Sequence, residues 1–372
     1  MTMTNIETKL AQLGNNSDER TGAINAPIYL STAYRHPGLG QSTGYDYTRT
    51  KNPTRDILEA GIADLEGGDA GFACSSGMAA VGLVFSLFKS GDEVIYPDDL
   101  YGGTYRLAKQ YEKQYDIKAH FNPFTNIDEV TALINDKTKA IFIETPTNPL
   151  MQEISIRDYA KLAHDNGLLL IVDNTFLTPY YQRPIEQGAD IVMHSATKYI
   201  GGHNDVLGGL VVTKGEELSE KLFLLHNASG ATLSAFDSWL LIRGLKTLHL
   251  RMKQHTKNAQ ALVAFLNEQP EVKDVLYAGL GGMISFRLQS AEWVPKFLEE
   301  IELIAFAESL GGVESFITYP TTQTHADIPE EERNTRGVDA SLLRFSVGLE
   351  DIDDLKADLA RVFASLKGVV IS

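Results

Sequence analysis

Between about residues 70 and 215, short aliphatic runs alternate with segments of helical character: Ala70–Ala73, Val94–Tyr96, Ala140–Ile143, Leu168–Val172, Ile191–His194 and Leu210–Val212. The runs lack polar alternation, which is the pattern of strands covered on both faces by helices. The chain is therefore predicted to be α/β, with a mostly parallel, buried central sheet. A crossover helix is expected over Asp158–His164, closed by Asn166-Gly167, and another over Val81–Phe88. The first 45 residues contain Pro27, Pro37 and glycines at 38, 40 and 44, which break any long period. They predict an extended arm with little core of its own, lying on its own domain or on a neighbouring subunit. After about residue 236 the pattern turns helical: Ala259, Leu262, Val263 and Leu266 share one helix face, and Pro270 ends it. Residues 281–286 alternate as a strand does, and Asp353–Phe363 returns to helical spacing. The expected organisation is an arm (1–45), a large domain (46–243) and a smaller α+β C-terminal domain (244–372).

Charge narrows the partners. Lys and Arg number 33 against 49 Asp and Glu, a net charge of −16, which opposes binding to a nucleic-acid backbone. Cys74 is the single cysteine, so an intramolecular disulfide and a Cys-clustered zinc site are excluded, and no metal site is predicted. The N-terminus has no basic stretch followed by an apolar segment, and no apolar run approaches the roughly 20 residues of a bilayer-spanning helix. A cytoplasmic protein with no membrane partner is expected.

Chemistry is concentrated at strand ends. Ser195, Thr197 and Lys198 directly follow the run Ile191–His194, at the carboxyl end of a strand, where open α/β sheets bind ligands. An amine with hydroxyls one and three residues before it suits a phosphate-bearing aldehyde: the amine forms an imine and the hydroxyls donate to phosphate oxygens. A solvated loop lysine is the plainer alternative. Asp173 ends the apolar run Leu168–Val172, so its carboxylate needs a partner; a protonated pyridine nitrogen would serve, and capping of the next segment is the other reading. Ser75-Ser76-Gly77-Met78 opens a helical run, so backbone N–H groups there can hold a phosphate or the helix can simply be capped. Tyr101, in a glycine turn, can stack on a ring and relay a proton, or be a partly buried anchor. Arg344 places a guanidinium in an apolar strand, where it needs a carboxylate: a substrate's, or one from an internal ion pair.

Longer motifs carry a resemblance: Tyr45-Asp46-Tyr47-Thr48-Arg49-Thr50-Lys51-Asn52-Pro53-Thr54, Ser76-Gly77-Met78, Leu100-Tyr101-Gly102-Gly103-Thr104, Glu144-Thr145-Pro146-Thr147-Asn148-Pro149, Asp173-Asn174-Thr175, Ser195-Ala196-Thr197-Lys198, Glu308-Ser309-Leu310-Gly311-Gly312 and Leu343-Arg344-Phe345-Ser346-Val347-Gly348. Across essentially its whole length the chain resembles the Cys/Met-metabolism family of pyridoxal-phosphate enzymes. The resemblance implies the fold-type-I, aspartate-aminotransferase-like architecture, pyridoxal 5′-phosphate as cofactor, amino-acid substrates and a homotetramer built of dimers. It implies Lys198 as the cofactor lysine and base and Tyr101 as its catalytic companion. Ser76, Gly77, Met78, Ser195 and Thr197 would hold the phosphate, Asp173 the pyridine nitrogen with Thr175 beside it, and Tyr101 the ring face. Tyr47 and Arg49 would reach the phosphate held by the partner subunit. Asn148, Ser309 and Arg344 would orient the cofactor hydroxyl and the substrate carboxylate, with Tyr47, Tyr101, Arg106 and Glu308 completing the substrate set.

Within the family, Gly103 stands where methionine γ-lyases typically carry a cysteine, and Glu308 fits γ-carbon enzymes that meet a distal amino group. Residues 7–15 and 26–36 and the compact length most resemble the cystathionine γ-synthase branch whose members also act as O-acetylhomoserine thiolyases. Thr50 stands where some O-succinylhomoserine-using synthases have a second arginine, which favours the acetyl ester. The expected reaction is γ-replacement on an O-acyl-L-homoserine by cysteine, giving cystathionine, or by sulfide, giving homocysteine. Cystathionine γ-lyase is the first alternative, then methionine γ-lyase and cystathionine β-lyase; a non-enzymatic pyridoxal-phosphate-binding regulator is the rival from another class.

Overall fold

The computed structural model describes residues 5–366. Its larger sheet contains β1 (Ala70–Cys74), β2 (Glu93–Pro97), β3 (Lys118–Asn122), β4 (Thr138–Glu144), β5 (Leu169–Asp173), β6 (Ile191–Ser195) and β7 (Gly209–Thr213), in the spatial order β1-β7-β6-β5-β4-β2-β3. From β6 across to β3 every pairing is parallel, and β7 runs antiparallel to both β6 and β1. Successive side chains of a strand point to opposite faces. Ile141, Ile143, Leu170, Val172 and Val192 accordingly join one core, and Ala140, Phe142, Ile171, Ile191 and Met193 join the other. That double burial is why these strands read as unbroken apolar runs. β3 escapes such a reading because Lys118, His120 and Asn122 interrupt it at the sheet edge, where no strand lies beyond.

Helices α1 (Ile6–Gln12), α2 (Pro53–Glu66), α3 (Gly77–Phe85), α4 (Gly102–Tyr115), α5 (Ile127–Thr131), α6 (Ile156–Asp165), α7 (Thr178–Tyr181), α8 (Glu216–Ser229) and α9 (Ala235–Leu245) belong to this half of the chain. α6 contains the crossover helix expected at 158–164, and α3 starts four residues before the expected Val81, where the Ser76 hydroxyl accepts from the Ala79 N–H at 3.1 Å. The arm departs from expectation: it carries α1, whose Leu10 is fully buried in the main core. About two helical turns are too short to produce a recognisable period. Beyond it the arm is irregular, with Leu30 and Leu39 exposed and a single bridge from Ala33 to Tyr47.

The second sheet contains β8 (Val272–Leu276), β9 (Met283–Leu288), β10 (Ala305–Phe306), β11 (Phe316–Thr318) and β12 (Leu342–Ser346), in the order β10-β11-β12-β9-β8. It packs on α10 (Leu248–Asn267), α11 (Val294–Glu300) and α13 (Ile352–Leu366), with α12 (Glu330–Thr335) in the loop before β12. The strand expected at 281–286 begins instead at Met283, because Gly281 turns the chain at φ +78°. Position 243 falls inside α9. Among the described residues no helix is long and apolar enough to cross a membrane, and no group of three or more His, Cys, Asp or Glu could hold a metal ion.

One side chain ties α13 to the turn after α11. The buried Asp358 carboxylate accepts from the N–H groups of Glu302, Leu303 and Ile304, at 2.9 to 3.2 Å, and from Arg361. Asp358→Ala would leave those donors without their acceptor, at a cost of about 2 kcal/mol. We expect it to lower the thermal midpoint measurably, and an unchanged melting curve would exclude this tether.

Candidate active site

The carboxyl ends of β4, β5 and β6 open into a cavity of about 350 Å³. Their interiors are apolar apart from His194 of β6, which is hydrogen-bonded to the buried Glu66 at 2.6 Å, so the polar residues that reach the cavity stand at the strand ends: Glu144, Asp173 and Ser195. After Ser195 the chain turns through 196–208 and returns as β7, and Lys198 lies in that turn. Its Nζ donates to Ser309 Oγ at 3.1 Å. Burial pushes the amine down to about 8, with the nearby Arg344 cation adding to the effect and Glu308 opposing it. The segment that brings Ser309 is strained. Ser309 sits at φ +126°, a conformation costing about 1–3 kcal/mol for a residue with a side chain. Its carbonyl is fastened by Arg344 Nη2 at 3.0 Å, and Gly311 lies so close that a Cβ there would come within 2.6 Å of the Tyr199 nitrogen.

Arg344 projects from β12 and is fully buried. Its guanidinium donates to Asn148 Oδ1, Ser309 O and Thr318 Oγ1, each at 3.0 Å, while Nε has no partner. Among the described residues no carboxylate lies within ion-pair distance of it, so the internal ion pair is absent and an unneutralised cation faces the cavity. Burial lowers it to about 10, against the opposing influence of Tyr101, Tyr199, Glu144 and Glu308. Opposite stand two carboxyls, Glu144 and Asp173, in register on adjacent strands. Burial raises both, and repulsion from Asp173 raises Glu144 further. Glu144 accepts from the Tyr101 N–H at 3.0 Å, whereas both bonds to Asp173, from the Thr175 N–H at 3.0 Å and hydroxyl at 2.6 Å, land on Oδ1. Among the described residues no cation lies within ion-pair distance of either carboxyl, and the nearby ring of His194, hydrogen-bonded to Glu66, is the cationic influence on Asp173.

The third wall is the start of α3. Gly77 is required there by close approach, since a Cβ would lie 2.8 Å from Ser195 Oγ. Ser76, Gly77, Met78 and Ser195 therefore surround one recess at a helix N-terminus. Thr197 lines the same recess, although its hydroxyl exchanges hydrogen bonds with Gly208, accepting at 3.1 Å and donating at 3.2 Å. Tyr101, one third exposed, covers the mouth, and Gly103 must lack a side chain because a Cβ would strike the Tyr101 ring at 2.4 Å. Asn148, Thr175, Glu308 and Ser309 also line the cavity.

Three expected residues stand elsewhere. Tyr47 is half exposed outside the cavity, and Arg49 lies beside it with its guanidinium hydrogen-bonded to Asn227 on α8. Arg106 is engaged on the surface with Asp327 at 2.8 Å. Conversely Glu144, Thr104 and Phe176 line the cavity without having been singled out individually. Glu144 had a signal, as the one acidic residue closing the run Ala140–Ile143.

The family model for Cys/Met metabolism PLP-dependent enzymes matches residues 7–364. The chain belongs to this family. It is 61% identical over 367 residues to the cystathionine gamma-synthase/O-acetylhomoserine (thiol)-lyase of Bacillus subtilis, covering 99% of this chain and 98% of that one. It is 60% identical over 363 residues to the cystathionine gamma-synthase of Haemophilus influenzae, covering 97% and 98%. The crystal structure of cystathionine gamma-lyase from Lactobacillus plantarum complexed with L-serine superposes with a TM-score of 0.94 at 45% identity, over 98% of this chain and all of that one. The architecture is thus that of the pyridoxal-phosphate trans-sulfuration enzymes.

The cavity fits pyridoxal phosphate on its own chemistry. It offers a helix N-terminal recess that a Cβ at position 77 would fill, a buried carboxyl at Asp173 that has no ion-pair partner among the described residues, and a lysine whose amine is largely desolvated. Lowering that amine from 10.5 to about 8 increases its neutral fraction near pH 7 roughly 300-fold. Only the neutral amine is nucleophilic. The rate at which apoenzyme takes up pyridoxal phosphate, followed by absorbance, should therefore rise with pH and level off above about 8; a rate still climbing at pH 10 would show an unperturbed lysine.

Proposed function

We propose that this protein catalyses γ-replacement on O-acetyl-L-homoserine, with cysteine as the thiol to form cystathionine and sulfide as a second thiol to form homocysteine, acetate being released. The observation that carries the reading is the 61% identity, over nearly the entire chain, to a protein named for both activities. The cavity supports it, since an amino-acid carboxylate is what the unneutralised Arg344 lacks.

Pyridoxal phosphate, when bound, supplies an electron-withdrawing ring that stabilises negative charge at the substrate α-carbon. Asp173, oriented by Thr175, would pair with the ring nitrogen and favour its protonated form. Ser76, Gly77, Met78, Ser195 and Thr197 hold the phosphate, and Asn148 holds the ring hydroxyl. Lys198 would anchor the group, and its neutral Nζ would remove the substrate Cα proton and later return protons along the substrate. Ser309, by accepting from Nζ, keeps that amine beside the substrate carbons. Arg344 fixes the α-carboxylate, Tyr101 covers the ring and passes a proton at the departing acetate, and Glu308 meets the amino group of the incoming cysteine. Arg106, engaged with Asp327, stands outside this set.

Tyr47 and Arg49 are read as donors to the phosphate of a neighbouring subunit, in a homotetramer of dimers with shared sites. Their exposure away from their own cavity supports this. A cytoplasmic location accords with such an enzyme.

A second reading, elimination from cystathionine, is favoured by the 45% identity to the L. plantarum lyase. Purified protein is given O-acetyl-L-homoserine with cysteine, the same ester with sulfide, or cystathionine alone. Cystathionine and homocysteine are the expected products of the first two arms; 2-oxobutanoate from the third arm alone would install the lyase. Lys198→Ala should lose turnover together with the visible absorbance of the bound cofactor. Asp173→Asn should weaken cofactor retention and reduce turnover at least about 100-fold, and an unaffected rate would remove Asp173 from the pyridine nitrogen.

A further inference from the structure

Arg55, on α2, has a fully buried guanidinium that takes no part in the cavity. Nη1 donates to the Thr48 carbonyl at 2.9 Å and Nη2 to the Arg49 carbonyl at 3.1 Å. A planar fork that bonds two successive carbonyls fixes the orientation of the peptide between them, and with it the direction in which Arg49 leaves the backbone. Nε faces Glu59 Oε1 at 3.3 Å, one turn along α2, as an ion pair not aligned for a hydrogen bond. The same Glu59 oxygen accepts from the Ala73 N–H at 2.9 Å. The segment bearing Tyr47 and Arg49 is thus tied through the buried Arg55 guanidinium and the Glu59 carboxyl to β1, three residues before Ser76.

A second route ends at the same residue. Arg49 Nη1 donates to Asn227 Oδ1 at 2.8 Å, and the adjacent His226 ring contacts the Ala73 carbonyl at 3.1 Å. Removing Glu59 leaves the buried guanidinium without its carboxyl neighbour, and removing Arg55 leaves the Thr48 and Arg49 carbonyls without their donors, so this arrangement is specific for its partners.

We propose that Arg55, held by Glu59, is a positioning residue that presents Tyr47 and Arg49 to the cofactor phosphate of the neighbouring subunit, so that it acts on its neighbour's site and not on its own. The proposal rests on the shared-site reading above. A structural role confined to one subunit would harm that subunit's own site, because β1 leads into its own phosphate recess; a positioning role harms the other.

Subunit hybrids separate the two. Arg55→Met enzyme should bind pyridoxal phosphate at least about tenfold more weakly, the scale seen when an outer partner of a ligand-holding group is removed. It is mixed in equal amounts with the inactive Lys198→Ala enzyme under conditions of subunit exchange. In a hybrid dimer the Arg55→Met subunit keeps Lys198 and receives Arg49 from a subunit whose Arg55 is intact. One site of two should then recover, giving roughly a quarter of wild-type turnover after random pairing. The control mixes Arg49→Ala with Lys198→Ala. Recovery in the control but not with Arg55→Met places Arg55 in its own subunit's site and overturns the proposal while sparing the shared site. No recovery in the control overturns the shared site and the proposal with it. If Arg55→Met does not fold, Glu59→Gln, which weakens the hold on the guanidinium, takes its place with the same expected recovery.

Discussion

Burial of the large sheet on both faces is the constraint on which the rest of the structure depends. Strands β4, β5 and β6 have helices on either side, so a polar group inside needs a buried partner, as His194 of β6 finds in Glu66, and the polar residues free to face a ligand collect at one edge. Glu144, Asp173 and Ser195 are there for that reason, and the turn from β6 to β7 adds Lys198 to the same edge. A site that needs a base, an acid partner and hydroxyl donors within one small volume is a direct product of this geometry.

The cavity is electrostatically incomplete. Arg344 and Lys198 lie on one side and Glu144 and Asp173 on another, all buried, with no ion pair among them. Neutral partners satisfy each only in part: Asn148, Ser309 and Thr318 for the guanidinium, Thr175 for Asp173. Such an arrangement is costly when empty and favours a guest with a cationic ring and an anionic carboxylate. The unusual backbone at Ser309 belongs to the same design, because its hydroxyl accepts from Lys198 while its carbonyl accepts from Arg344, coupling the two cations through one residue of the C-terminal half.

Much of this is legible in the amino-acid sequence. Strands β1, β2, β4, β5, β6 and β7 follow from apolar runs whose double burial leaves no polar alternation, and Lys198, Asp173 and the Ser76-Gly77 turn follow from standing just after them. β3 was not legible because an edge strand tolerates Lys118 and His120, nor was α1, which is too short to show a period. The partners of Arg344 were not legible either. Its place in an apolar strand implied a carboxylate, but whether one lay inside the protein depended on the loops at 148 and 309 and on the end of β11 at Thr318, far apart in sequence.

The amino-acid sequence by itself determined the two-sided sheet, the family and the set of groups at its carboxyl edge, because those depend on patterns of neighbouring residues. Only the tertiary structure decided which of those groups meet. It brought β12 and the 308–312 segment over β4 to β6, left Arg344 without an internal anion, and kept Tyr47, Arg49 and Arg106 out of the cavity. The physical reason is that charge compensation is a property of distances of a few ångströms, and those distances are set by packing between segments that the chain order separates by as much as 196 residues.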